Sequence, residues 1–192
     1  SRGERGFYFT GTFCDEERII KTKVKHEKFS KAHLPWKLNL FSGPVMKLVN
    51  DYYFRSNVKN SRSYTALSTF IFPSASRLWY FSMFGKRGLI EHQVLIPHVA
   101  VRSYLSEFKR TLLDNRPVIS LCHLKLFKGK TRLLNFDGGG LCLAIHLKMG
   151  HRSLATLNRL DQINSHHGCI TNIIKDSRVG VEIVKGQYPE YD

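Results

Sequence analysis

Polar and titratable side chains recur at the centres and ends of apolar, strand-length runs in this chain. "GLIEHQVLI" carries Glu91, His92 and Gln93 in its middle, and "PVISLCHLKLF" carries His123 and Lys125. "GLCLAIHL" ends on His146, and "CITNIIKDSR" runs into Asn172, Lys175 and Arg178. An apolar strand that ends in a cluster of charges needs either a surface turn or a reason to hold a cation rigidly. Buried Lys and His need partners, and such groups commonly bind anions or move protons. One polar strand residue is usually structural. Gln93 or His92, Lys125, His146 and Lys175 on neighbouring strands make a better candidate site.

Side chains alternate across a sheet. Gln93 therefore shares a face with Glu91, and His92 points the opposite way. On residues 140 to 147, Leu141, Leu143, Ile145 and Leu147 face one side, where helices would cover them. Gly140, Cys142, Ala144 and His146 face the other, as a floor of small residues with His146 at its end. Thr171 and Lys175 are expected on one face of the last strand, with Asn172 on the other.

The elements that must position these groups follow from periodicity. Residues 88–96 read as a strand, 98–115 as an amphipathic helix with Val101, Tyr104, Leu105, Phe108 and Leu112 on one face, and 117–127 as a strand. A return strand starts at 131–136, breaks at "DGGG" and continues over 140–147. A helix over 152–165 carries Leu154, Leu157, Leu160 and Asp161, and a last strand covers 169–175. The order β-α-β-β-α-β is the ferredoxin-like, split βαβ pattern: an α+β fold with an antiparallel sheet and helices on one face. The first half reads as a strand/helix extension. Residues 6–14 alternate as a strand, and 15–40 are irregular, basic and extended at "HLPWKLNL". A helix follows Ser42 and Pro44 with Val45, Leu48, Val49 and Tyr52 on one stripe. Residues 64–72 read as a strand, and "SASRLWYFSMFG" as a short helix or turn.

Composition bounds the function classes. With 42% hydrophobic and 12% aromatic residues over 192 positions, the chain can bury a core and is not disordered by composition. No apolar run is long enough for a membrane span, and the first residues lack the layout of a signal peptide. The chain does not begin with Met and is read as a processed product or a piece of a longer protein. The four cysteines are dispersed without a CxxC pair, as in reduced proteins of a cytoplasmic compartment. The net charge of +15 favours anionic substrates, polyanions or contact with an anionic membrane surface. His166, His167 and Cys169 in "SHHGC" have ligand types but no second ligand pair, so no metal site is expected from spacing. "FDGGG" lacks the rest of a phosphate loop.

The series "GLIEHQVLIP", "VISLCHLKLFKGK", "LLNFDGGGLCLAIHL", "LNRLDQINSHHGCITNIIKDSR" and "YPEYD" resembles the second half of FAD-linked oxidases of the vanillyl-alcohol oxidase superfamily, nearest the decaprenylphosphoryl-ribose oxidase group. "DYYFR" and "FIFPSASRLWYFSMFGKRGLIEHQ" extend the resemblance over most of the chain. It implies a single substrate-binding, or cap, domain over residues 1–192, lying on a flavin whose FAD-binding domain is not in this chain. The implied activity is oxidation of a hydroxyl on a sugar or related alcohol, with a phosphorylated or lipid-linked sugar as one form of it, and the chain alone inactive. Lys175 matches the lysine of an A-K-D-S-R strand, Lys125 that of an L-K strand, and Gln93 the second Gln of Q-Y-Q. They are thereby implied as catalytic, with Gln93 and Lys175 beside the cofactor. His92, His146, Asn172 and Arg178 are implied on the substrate side. Here His92 replaces a Tyr, Glu91 a Gln and His146 an Asp, so the pocket is remodelled. The competing expectations are a degenerate cap kept as an interaction domain, or a basic non-enzymatic binding module for protein or nucleic acid. Nucleic acid is disfavoured, because the sheet shows no RNP-type aromatic signature.

Overall fold

The computed structural model describes residues 6–14, 39–57, 64, 66–67, 78–128, 136 and 138–188. The chain divides into two compact units, Ser1–Lys86 and Arg87–Asp192.

In the first unit, α1 spans Gly43–Asn57 and α2 spans Leu78–Ser82. The Met46 amide donates to the Ser42 carbonyl, which opens α1 directly after Ser42. The stripe expected to be buried is not. Leu48 and Tyr52 are 70% and 75% exposed, whereas Met46, one position off that stripe, is buried. Residues 6–14 form no strand. Of their aromatics, Phe7 packs against Tyr53 and Phe54 of α1, while Tyr8 and Phe13 stay exposed. Phe41, Tyr80 and Phe84 form a second aromatic cluster, closed by a bridge between Asn39 and Phe84. Most of the expected return strand at 131–136, of the strand at 64–72 and of the segment 15–40 lies outside the described residues.

The second unit is an antiparallel sheet of four strands: β1 Leu89–Pro97, β2 Ile119–Phe127, β3 Gly140–Lys148 and β4 Ile170–Thr171, in the spatial order β2-β3-β1-β4. With α3 Val101–Asn115 after β1 and α4 His151–His166 after β3, this is the ferredoxin-like arrangement expected from the element order. A single 3-10 turn, His98–Ala100, leads into α3, and α5 spans Val181–Gln187.

The core lies between the sheet and the two helices. Val94 and Ile96 of β1 and Leu143, Ile145 and Leu147 of β3 meet Tyr104 and Phe108 of α3 and Leu157, Leu160 and Ile163 of α4. Alternation puts Glu91, Gln93 and His146 on the other side. Leu154 is the exception to the expected α4 face. It is exposed, and Ser153 turns inward to donate to the Lys148 carbonyl. Burying each aliphatic side chain of this core contributes roughly 2 kcal/mol, so the sheet–helix layer carries much of the stability of the unit.

The last strand is much shorter than the expected 169–175. The Asn172 carbonyl accepts from both Lys175 N and Asp176 N, and its side-chain Oδ1 accepts from Ile174 N. Asn competes for its own backbone in this way, and the chain turns instead of extending. Beyond β1, the free side of β4 is closed by side chains: Gln187 Oε1 accepts from Thr171 N, and Tyr188 Oη donates to Thr171 O. No helix among the described residues is long and apolar enough to cross a membrane.

Candidate functional site

The sheet face opposite α3 and α4 gathers polar groups from β1, β2 and β3 and from the turn after β4. The register sets them side by side: Glu91 opposite His146, Gln93 opposite Ala144, His123 opposite Ala144 and Lys125 opposite Cys142. Cys142, Ala144 and His146 are buried along the middle of this face, and Lys125 and Lys175 are exposed at its margins.

Two small networks stand on that floor. Glu91 Oε2 lies 3.4 Å from Lys175 Nζ and 3.8 Å from His146 Nε2. His146 and Lys175 hold the Glu91 carboxyl below its ordinary value, against the opposing effect of partial burial. The rings of His146 and His123 are 6.4 Å apart, edge to face. Burial and then the Lys125 ammonium lower the His123 pKa, so the ring is neutral near pH 7 and able to take up a proton. In the second network, Asn172 Nδ2 donates to Gln93 Oε1 at 2.7 Å, and Gln93 Nε2 donates to Cys142 Sγ at 3.3 Å. Burial raises the Cys142 thiol pKa, which keeps it protonated and unreactive.

Gln93, Lys125, His146, Asn172 and Lys175 are thus brought onto one face. Lys175 and Asn172, expected on opposite faces, arrive together because residues 172–176 turn. His92 and Arg178 are not part of this group. His92 is fully buried on the helix side, where Nδ1 donates to Asp176 Oδ2 at 2.8 Å. Arg178 forms a two-pronged pair with Asp161 at 2.6 and 3.1 Å and reaches Asp176 Oδ2 at 3.0 Å. Both side chains hold the turn from behind, away from the candidate ligand face.

Glu91 and His123 join this group, although neither stands among the site residues expected from the sequence. The signal for Glu91 was its sharing a face with Gln93. The signal for His123 was its alternation with Lys125 on β2. Comparison with protein-family models finds none that matches this chain, and a search of curated proteins finds no significant match.

Proposed function

We propose that this chain is the substrate-side portion of an FAD-dependent oxidoreductase that oxidises a hydroxyl of a sugar or related alcohol. The observation that carries this reading is the convergence of Lys175, Glu91, His146, His123, Gln93 and Asn172 on one sheet face. Removing hydride from a carbinol carbon requires the hydroxyl proton to leave and the developing charge to be met by fixed donors. His123, neutral near pH 7, and the His146–Glu91 pair supply proton acceptors. Lys175 and Lys125 supply cations for the substrate, and suit a phosphorylated one. The half-buried amides of Gln93 and Asn172 offer the mixed donors and acceptors that complement the polar edge of a flavin ring. Accepting the hydride is the chemistry that FAD supplies when bound. The described residues contain no glycine-rich strand-to-helix turn for its pyrophosphate, so in this reading another domain of the same protein holds it. The reading places the protein in the cytoplasm, with the basic surface available to the inner membrane.

The visible spectrum of the purified natural protein tests this. Flavin bands that bleach with a sugar alcohol, and that persist without bleaching in Lys175→Ala, are expected. A protein that stays colourless with added FAD removes the reading. A second reading, a basic binding module, rests on the net charge of +15. A salt-sensitive gel shift with single-stranded RNA supports it, and no binding at low salt removes it.

A further inference from the structure

Away from the ligand face, on the helix side of the sheet, the fold brings together three side chains that the sequence keeps far apart. Glu107 lies in the second turn of α3, while His166 and His167 close the last turn of α4. Their donor atoms all lie within 4.8 Å of one another. His167 Nε2 is already 2.9 Å from Glu107 Oε1, and the His166 and His167 rings are 4.9 Å apart. The spacing "SHHGC" offered only adjacent histidines; helix packing supplies the carboxylate.

We infer that Glu107, His166 and His167 form a binding site for a borderline divalent cation, zinc in the first instance, with water in the fourth position. The donor set is right for it: two imidazoles and one carboxylate suit Zn(II), and disfavour the oxygen-loving Mg(II) and Ca(II). Tetrahedral zinc with bonds of about 2.0–2.1 Å needs donors roughly 3.3 Å apart. Glu107 and His167, 2.9 Å apart, reach that spacing by parting slightly, with the metal taking the place of the proton they share. His166 is exposed, so a rotation of its side chain can close the remaining gap. The site also stands at the C-terminal end of a helix of 16 residues, where the backbone dipole favours a cation. Arg110, one turn further along α3, is a cation that also acts on Glu107. Tyr104 packs edge-on against His167 and gives its hydroxyl to Asn164, so it backs the site without ligating. A metal held here ties α3 to α4 and is remote from the proposed chemistry on the opposite face.

The test is titration of the protein with Zn(II) alone by calorimetry, and with Co(II) read by its ligand-field bands. One equivalent is expected to bind, with the melting temperature rising as zinc is added. His166→Ala keeps the Glu107–His167 hydrogen bond, so it should fold normally while weakening binding at least about tenfold. Absence of a one-equivalent site in the parent protein overturns the inference. So does binding that survives unchanged in His166→Ala or in the triple variant Glu107→Gln, His166→Ala, His167→Ala, since the metal would then sit elsewhere.

Discussion

His92 and Asp176 are joined through the back of the sheet: Nδ1 and Oδ2 are 2.8 Å apart, and both side chains are out of water. His92 is the inward neighbour of Gln93, and Asp176 is the inward neighbour of Lys175. One buried hydrogen bond therefore couples the strand that carries Gln93 to the turn that carries Lys175. With its proton on Nδ1, His92 also accepts from Asn164 at Nε2, and Asn164 in turn accepts from the Tyr104 hydroxyl at 2.8 Å.

Removing Asp176 takes the carboxylate away from a buried imidazole and one of two carboxylate partners away from the Arg178 guanidinium, which keeps Asp161. Asp176→Ala is expected to destabilise the fold by roughly 3 kcal/mol, as for a broken buried pair, and urea unfolding measures it. A cost below 1 kcal/mol means the network does not hold the turn.

The same carboxylate gives the fold an acid limit. Burial pulls the Asp176 pKa up, but the hydrogen bond from His92 and the Arg178 guanidinium outweigh it and keep the value below normal. A depressed folded pKa stabilises above the unfolded value and is lost as pH falls through the folded one. Stability should therefore drop as pH falls below about 4, the ordinary range for an aspartate. The parent protein should lose more of its melting temperature over that interval than Asp176→Asn does. Equal losses in the two proteins count against this assignment.

The Glu91–Lys175 pair predicts a contrast between stability and function. Lys175 is 45% exposed at the side chain, and a pair of that kind contributes less than about 1 kcal/mol. Lys175→Met and Glu91→Gln should leave the unfolding midpoint nearly unchanged. If the face binds an alcohol substrate, Glu91→Gln should still lower turnover and shift its pH profile, because it releases both Lys175 and His146. An unchanged profile argues that Glu91 only decorates the surface.

Gly140 sits where β3 begins opposite Pro97, and a methyl group there would collide with the Ile96 carbonyl oxygen. A backbone atom cannot swing aside as a side-chain tip can. Gly140→Ala should cost about 2 kcal/mol, and amide exchange should show the loss at the Pro97 end of the β1–β3 ladder.

Tyr104→Phe removes the donor to Asn164 within the core. A loss of about 1–2 kcal/mol is expected by thermal unfolding, since the Asn164 carbonyl oxygen is left buried without a partner. A variant as stable as the parent shows that Asn164 finds another donor.

Much of this architecture was legible because two periods are strong in the second unit. Alternation in "GLCLAIHL" separates Leu143, Ile145 and Leu147 from Cys142, Ala144 and His146, as the burial shows. The α3 stripe places Tyr104 and Phe108 in the core. What the sequence concealed is local competition. Nothing in the apolar run "ITNII" distinguishes a strand from a turn until Asn172 captures the amides that follow it. That capture reverses the faces expected for Lys175 and Asn172. Partners distant in sequence, such as Asp176 for His92 or Glu107 for His167, carry no local pattern at all. On α1, the stripe through Leu48 and Tyr52 had helical spacing but no partner to bury it among the described residues.

The two-residue strand β4 has an unusual kind of lock. Strands held only by main-chain ladders can slide by two residues and find equivalent bonds again. Thr171 is instead gripped on its free side by a Gln187 amide and a Tyr188 hydroxyl, and these recognise one peptide unit at one height. The register of β4 is therefore keyed like a lock rather than graded like a ruler. Because Lys175 follows only four residues later, the grip on the far side of β4 also helps to set its height above the sheet.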